Sequence, residues 1–112
     1  MPKPLFHRDI RWPNVILSPS DSTKWFLIDW DDAAMPPTCA VNHLNRGSHS
    51  PAVFEDNHGA EVDIWGVGKL ILDASGFVTG MSETMMQIGK QMVEGLIETA
   101  DMAQLCIRQS AV

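Results

Sequence analysis

Three oxygen-bearing side chains near the front of the sequence have the types and spacing of a site that handles a hydroxyl proton and a hard cation. Asp9 and Asn14 stand five positions apart in His7-Arg8-Asp9-Ile10-Arg11-Trp12-Pro13-Asn14, just before an apolar run. Asp29 follows twenty residues after Asp9, at the end of a second apolar run, in Leu27-Ile28-Asp29-Trp30-Asp31. A loop carboxylate can reach an acceptor hydroxyl and take its proton. A neutral amide on the same loop can ligate a metal, and a small cation such as Mg²⁺ takes oxygen ligands that include one or two carboxylates. Asn14 and Asp29 supply that set if the fold brings them into one small volume.

The elements that must do so are legible in outline. Residues 14–17 and 25–28 are apolar and rich in β-branched or aromatic side chains, with Ser18-Pro19-Ser20-Asp21-Ser22 between them, which predicts a short β-hairpin. Residues 31–59 are broken repeatedly by Pro, Asn, Ser and Gly and read as a long irregular segment, a length that points to a functional loop. Residues 61–73 are apolar on nearly every side and predict a helix buried in the core. Gly66 and Gly68 each cost that helix about 1 kcal/mol relative to Ala, so close packing against them is expected. From Ser82, a plausible N-cap, the apolar residues Met85, Ile88, Met92, Leu96 and Ala100 recur at steps of three and four, predicting an amphipathic helix. A further short helical piece is expected over residues 102–108.

The order of these motifs resembles the C-terminal lobe of eukaryotic protein kinases. His7 to Asn14 fits the catalytic-loop pattern H-R-D-x-x-x-x-N. Asp29 stands where that family has its D-F-G aspartate. Glu61-Val62-Asp63-Ile64-Trp65-Gly66-Val67-Gly68 resembles the D-V-W-S-x-G start of the family's central helix, and Ser50-Pro51-Ala52 sits in the place of A-P-E. The resemblance is strongest over residues 5–73. It implies a mainly α fold with one small β-hairpin, with residues 1–112 a single partial kinase-like domain and residues 82–108 its C-terminal helices.

The resemblance also implies roles. Asp9 looks like the catalytic base, Arg11 like the residue that contacts the transferred phosphate, and Asn14 and Asp29 like the ligands of Mg²⁺ and, through it, of ATP. Arg8 looks like the arginine that reads the activation segment, where Thr38, Ser48 and Ser50 are candidate phosphosites. Asp63 looks like the carboxylate that braces the catalytic loop. The expected reaction is transfer of the ATP γ-phosphate to a protein Ser/Thr hydroxyl. Arg11 in place of the lysine usual in Ser/Thr kinases leaves tyrosine open.

The sequence departs from the family in three places. Trp30 and Asp31 replace the Phe and Gly of D-F-G, and Ile28-Asp29-Trp30 is similar to aminoglycoside and choline phosphotransferases. Ala52 replaces the A-P-E glutamate unless Glu55 substitutes. Six residues before His7 hold no Gly-rich loop or strand lysine. The expectation is therefore a fragment without the N-terminal lobe, inactive as it stands, or a catalytically dead pseudokinase scaffold.

Composition bounds the rest. The 112 residues fit one domain, and 45% apolar with 20% charged residues is ordinary for a globular chain. A net charge of −6 offers no field for nucleic acid or an anionic membrane surface. Cys39 and Cys106, without a signal peptide or an apolar run of membrane-spanning length, are read as free thiols in an intracellular protein, cytoplasmic or nuclear. The histidines at 7, 43, 49 and 58 lack metal-ligand spacing and are read as surface or hydrogen-bonded core residues. The methionines at 81, 85, 86, 92 and 102 are read as core filler. Apolar surface left bare by a missing lobe predicts association.

Overall fold

The computed structural model describes residues 4–76, 79–97, 101, 102 and 105. After a 3₁₀ turn at Trp12–Asn14, in which Pro13 presets the backbone, the chain forms strands β1 (Val15–Leu17) and β2 (Trp25–Leu27). They pair antiparallel with Ile16 opposite Phe26. The connection turns on Asp21, whose carboxylate accepts from the Thr23 N–H and hydroxyl at 3.0 and 2.6 Å. Those bonds hold the Asp21 carboxyl below its ordinary value. An isolated bridge between Phe6 and Ala34 lays the irregular segment alongside the 5–14 loop.

Helix α1 spans Glu61–Ala74 and α2 spans Glu83–Val93. The Ser82 side chain accepts from the Met85 N–H at 3.1 Å and caps α2. The two helices meet through glycine. A Cβ on Gly68 would lie 2.6 Å from Met92 Cβ and 2.8 Å from the Gly89 carbonyl, so the backbones touch where a larger residue would hold them apart. A Cβ on Gly66 would meet Ile10 at 2.8 Å, which sets the 5–14 loop directly on α1. The helix penalty of both glycines is thus offset by contacts.

Two small cores flank α1. Ile64 packs with Ile88, Met92 and Ile97, and Val62 packs with Val41 and Val53. The expectation of a helix enclosed on all sides is corrected: Val62, Ile64, Gly66, Gly68 and Ala74 are buried, while Val67, Leu70, Ile71 and Leu72 are half-exposed. The α2 stripe is also shorter than its periodicity. Gly95 takes a positive φ of 80° and the Leu96 N–H bonds back to the Gln91 carbonyl at 2.9 Å, which closes the helix. The turn throws Leu96 outward and puts Ile97 in the core in its place. Met92 is buried as expected, but Met102 is exposed. The expected helix over 102–108, Ala100 and Cys106 lie mostly or wholly outside the described residues; Cys39 is a free, exposed thiol.

Candidate functional site

The 5–14 loop is held from below by one side chain. Asp63, in the first turn of α1, accepts from the His7 N–H through Oδ2 and from the Arg8 N–H through Oδ1, each at 2.8 Å. Two backbone donors on one carboxylate fix both the position and the tilt of the loop. Arg8 sits at φ 71°, a left-handed conformation costly for a residue with a Cβ, and the clamp on its N–H holds it there.

His7 ties the loop to the end of β2. Its Nδ1 accepts from the Asp9 N–H at 3.1 Å, so its Nε2–H donates to the Ile28 carbonyl at 2.8 Å. The ring is fully buried and stands edge-on to Trp30, with centroids 4.6 Å apart. On the other side the Ile28 N–H donates to the Asn14 carbonyl at 2.8 Å. Ile28 is therefore gripped from both faces, and the next residue is Asp29, itself left-handed at φ 60° and exposed.

Asp9 lies at the centre. It is buried, and Asn14 Nδ2 donates to its carbonyl at 2.9 Å and to its Oδ2 at 3.1 Å. Both of these bonds are made by the amide nitrogen of the Asn14 side chain. Arg11 Nε donates to Asp9 Oδ1 at 3.0 Å. His49 Nε2 approaches the same oxygen at 2.6 Å. Burial pushes the Asp9 carboxyl upward, but the hydrogen bonds and charges of His49 and Arg11 outweigh it and hold the carboxyl below its ordinary value.

Asp9 and Asn14 thus touch, and Asp29 is joined to Asn14 through the backbone of Ile28. The Asp29 carboxylate accepts from the Asp31 N–H at 3.4 Å. Among the described residues no group of three or more His, Cys, Asp or Glu side chains stands ready for a metal.

No family model matches the chain, and no solved structure matches it. One curated protein does. Crinkler effector protein 8 of Phytophthora infestans is 44% identical over 69 residues, a stretch that covers 58% of this chain and 11% of that protein. The chain therefore spans about a tenth of the length of the curated relative it matches.

The remaining expected residues are placed as follows. Arg11 is spent on Asp9 and is partly exposed. Arg8 donates to the carbonyls of Asp32 at 2.6 Å and Cys39 at 3.2 Å and to His58 Nε2 at 3.3 Å, so it already binds the irregular segment without a phosphate. Thr38 and Ser50 are buried, and the Thr38 hydroxyl donates to the His58 carbonyl. Ser48 is half-exposed, the most accessible of the three. Glu55 makes no ion pair among the described residues.

His49 and His58 are buried and hydrogen-bonded, within the reading of the histidines as surface or hydrogen-bonded core residues, but only folding places one on Asp9 and the other on Arg8. No local pattern marks a residue whose partner lies forty or fifty positions away in an irregular segment. No helix among the described residues is long and apolar enough to cross a membrane.

Proposed function

We propose that this chain is part of a protein-kinase-like phosphotransferase that, in its complete form, moves the γ-phosphate of ATP to a Ser/Thr hydroxyl of a protein. The observation that carries the reading is the Asp9–Asn14 contact of 3.1 Å on a loop clamped through two backbone N–H groups by Asp63. A buried carboxylate and an amide oxygen within one turn of chain meet the demands of phosphoryl transfer, which rests on positioning and charge neutralisation. Asn14 Oδ1 and the Asp29 carboxylate would hold Mg²⁺. When bound, Mg²⁺-ATP supplies the phosphoryl group and offsets its charge. Asp9 orients the acceptor hydroxyl and takes its proton as the new O–P bond forms and ADP leaves. Asp63, His7 and Arg8 keep the loop in shape throughout. The exposed Cys39 thiol suits an intracellular setting.

The test is phosphotransfer from labelled Mg²⁺-ATP to Ser/Thr peptides by the full polypeptide that carries these residues. Asp9→Asn is expected to lower the rate by roughly 10² to 10⁴, the usual worth of a positioned base. An unaltered rate would overturn the reading. For these 112 residues alone, calorimetry is expected to find Mg²⁺-ATP affinity weaker than micromolar.

A second reading, a small-molecule phosphotransferase, is favoured by Ile28-Asp29-Trp30-Asp31, in which Trp30 packs on His7 where a kinase has phenylalanine. Turnover of sugar-like or choline-like acceptors in place of peptides would select it.

A further inference from the structure

The closest polar neighbour of Asp9 is a side chain the proposed reaction does not use. His49 Nε2 stands 2.6 Å from Asp9 Oδ1, and both side chains are almost enclosed, at 6% and 7% exposure. On its other side His49 Nδ1 lies 2.7 Å from the Asn45 carbonyl oxygen. Facing a carboxylate oxygen, which only accepts, Nε2 is the donor of the contact to Asp9. The Ser48 hydroxyl lies 3.4 Å from the Asn45 carbonyl oxygen and 3.0 Å from Nδ1.

The consequence falls on Asp9. A carboxylate offers about four acceptor directions. At Oδ1 both are filled, by Arg11 Nε at 3.0 Å and His49 Nε2 at 2.6 Å, and Oδ2 already accepts from Asn14 at 3.1 Å. One direction is left, on Oδ2, while an acceptor hydroxyl arriving at Oδ1 finds its place taken.

The segment carrying His49 is a closed loop, tethered by His43 to Asp32 at 2.9 Å and by Arg46 over the Phe54 ring at 4.1 Å. Its base is closed by the Val41 N–H to Val53 carbonyl bond of 2.9 Å, and both valines are buried. Between them Asn42, His43, Asn45, Arg46 and Gly47 are exposed, and Asn45 Oδ1 accepts from the Gly47 N–H within the loop itself. Leu44 packs on the valine cluster, while His49 reaches across to Asp9.

We propose that His49 is a built-in plug on Asp9 Oδ1: its Nε2–H occupies the acceptor position that a substrate hydroxyl would take there, and residues 45–49 swing away before that oxygen can receive a proton. The meaning of the plug rests on the phosphotransfer reading, whereas its existence does not. Carbodiimide-driven coupling of glycine amide to carboxylates, read at Asp9 by mass spectrometry in the 112-residue chain, tests it directly. Asp9 is expected to be protected in the wild type and to react roughly tenfold faster in His49→Ala, because exposure no longer requires breaking a charge-assisted hydrogen bond. His49→Gln, which keeps an N–H donor, is expected to restore much of the protection; a merely space-filling role would let His49→Leu do the same.

Equal Asp9 reactivity in wild type and a folded His49→Ala overturns the plug. If His49→Ala does not fold, the nitrogen-15 spectrum of the wild-type ring decides. A hydrogen on Nε2 sustains the proposal, and an Nε2 without one overturns it. Failure of the phosphotransfer reading shows elsewhere, in an unaltered rate for Asp9→Asn.

Discussion

The 5–14 loop and the hairpin that follows it are neighbours in sequence and opposites in physics. The loop is irregular yet tightly held: His7, Asp9 and Asn14 are buried, and every polar atom on them that is enclosed finds a partner. The hairpin is regular yet barely held. Ile16, Leu17, Trp25, Phe26 and Ile28 are all exposed, with Trp25 at 59%. Buried polar groups must be satisfied, and that demand makes the loop a single conformation. Apolar side chains on a two-stranded sheet have no such demand met from within, since two strands offer too little surface to cover one another. An exposed apolar patch of this kind marks a surface made to be covered. Under the proposed reading the tightly held region is the one that would carry chemistry, and the bare one is an apolar face in contact with water.

The strongest way to break the contrast is to remove the clamp. Asp63→Ala leaves the His7 and Arg8 N–H groups without their acceptor and is expected to cost about 3–5 kcal/mol, a large share of the stability of a small domain. Urea unfolding followed by circular dichroism would read it, and a loss under 1 kcal/mol would mean the loop is held by other contacts. Next comes the packing beneath. Gly68→Ala puts a Cβ 2.6 Å from Met92 Cβ. Overpacking of that kind costs roughly 1–3 kcal/mol, measurable as a lowered Tm.

A smaller effect follows from the charge on Asp9. Its carboxyl titrates lower in the folded chain than the ordinary 3.8, so its contribution to stability is complete above that value and is lost as pH falls through the lower, folded value. Urea midpoints measured on descending from about pH 5 to about pH 3 are expected to fall, and to fall less in Asp9→Asn, which has no carboxyl to protonate. The smallest expected change in stability lies on the hairpin. Trp25→Ser with Phe26→Ser should shift unfolding by no more than about 0.5 kcal/mol, because these side chains are already in water. The same pair is expected to reduce self-association in sedimentation runs. A large loss of stability would mean that the hairpin is packed in solution and the contrast drawn above is false.

Reading the residues in order reached the local elements well. The β-branched and aromatic runs around Ser18-Pro19-Ser20 specified a hairpin because short-range turn chemistry is enough to fold one back. Gly66 and Gly68 announced close packing because a helix tolerates such residues only for a reason, although Ile10 and Met92 as the reasons came from the coordinates. The reading of α1 as enclosed was too strong. Apolar content tells how much surface wants burial but not how much partner surface the chain can provide.

What the sequence determined by itself was the set of groups in the candidate site. Asp9, Asn14 and Asp29 are named by type and interval; the structure shows Asp9 and Asn14 in contact, and Asp29 next to Ile28, whose N–H bonds the Asn14 carbonyl. What only the tertiary structure decided was which groups face them. His49 on Asp9 and His58 on Arg8 are joined across forty and fifty positions. Such pairings depend on where an irregular segment lies against the loop. That placement is set by the burial of Val41 and Val53 against Val62 and by the need of each enclosed polar atom for a partner, neither of which has a period or a spacing to read.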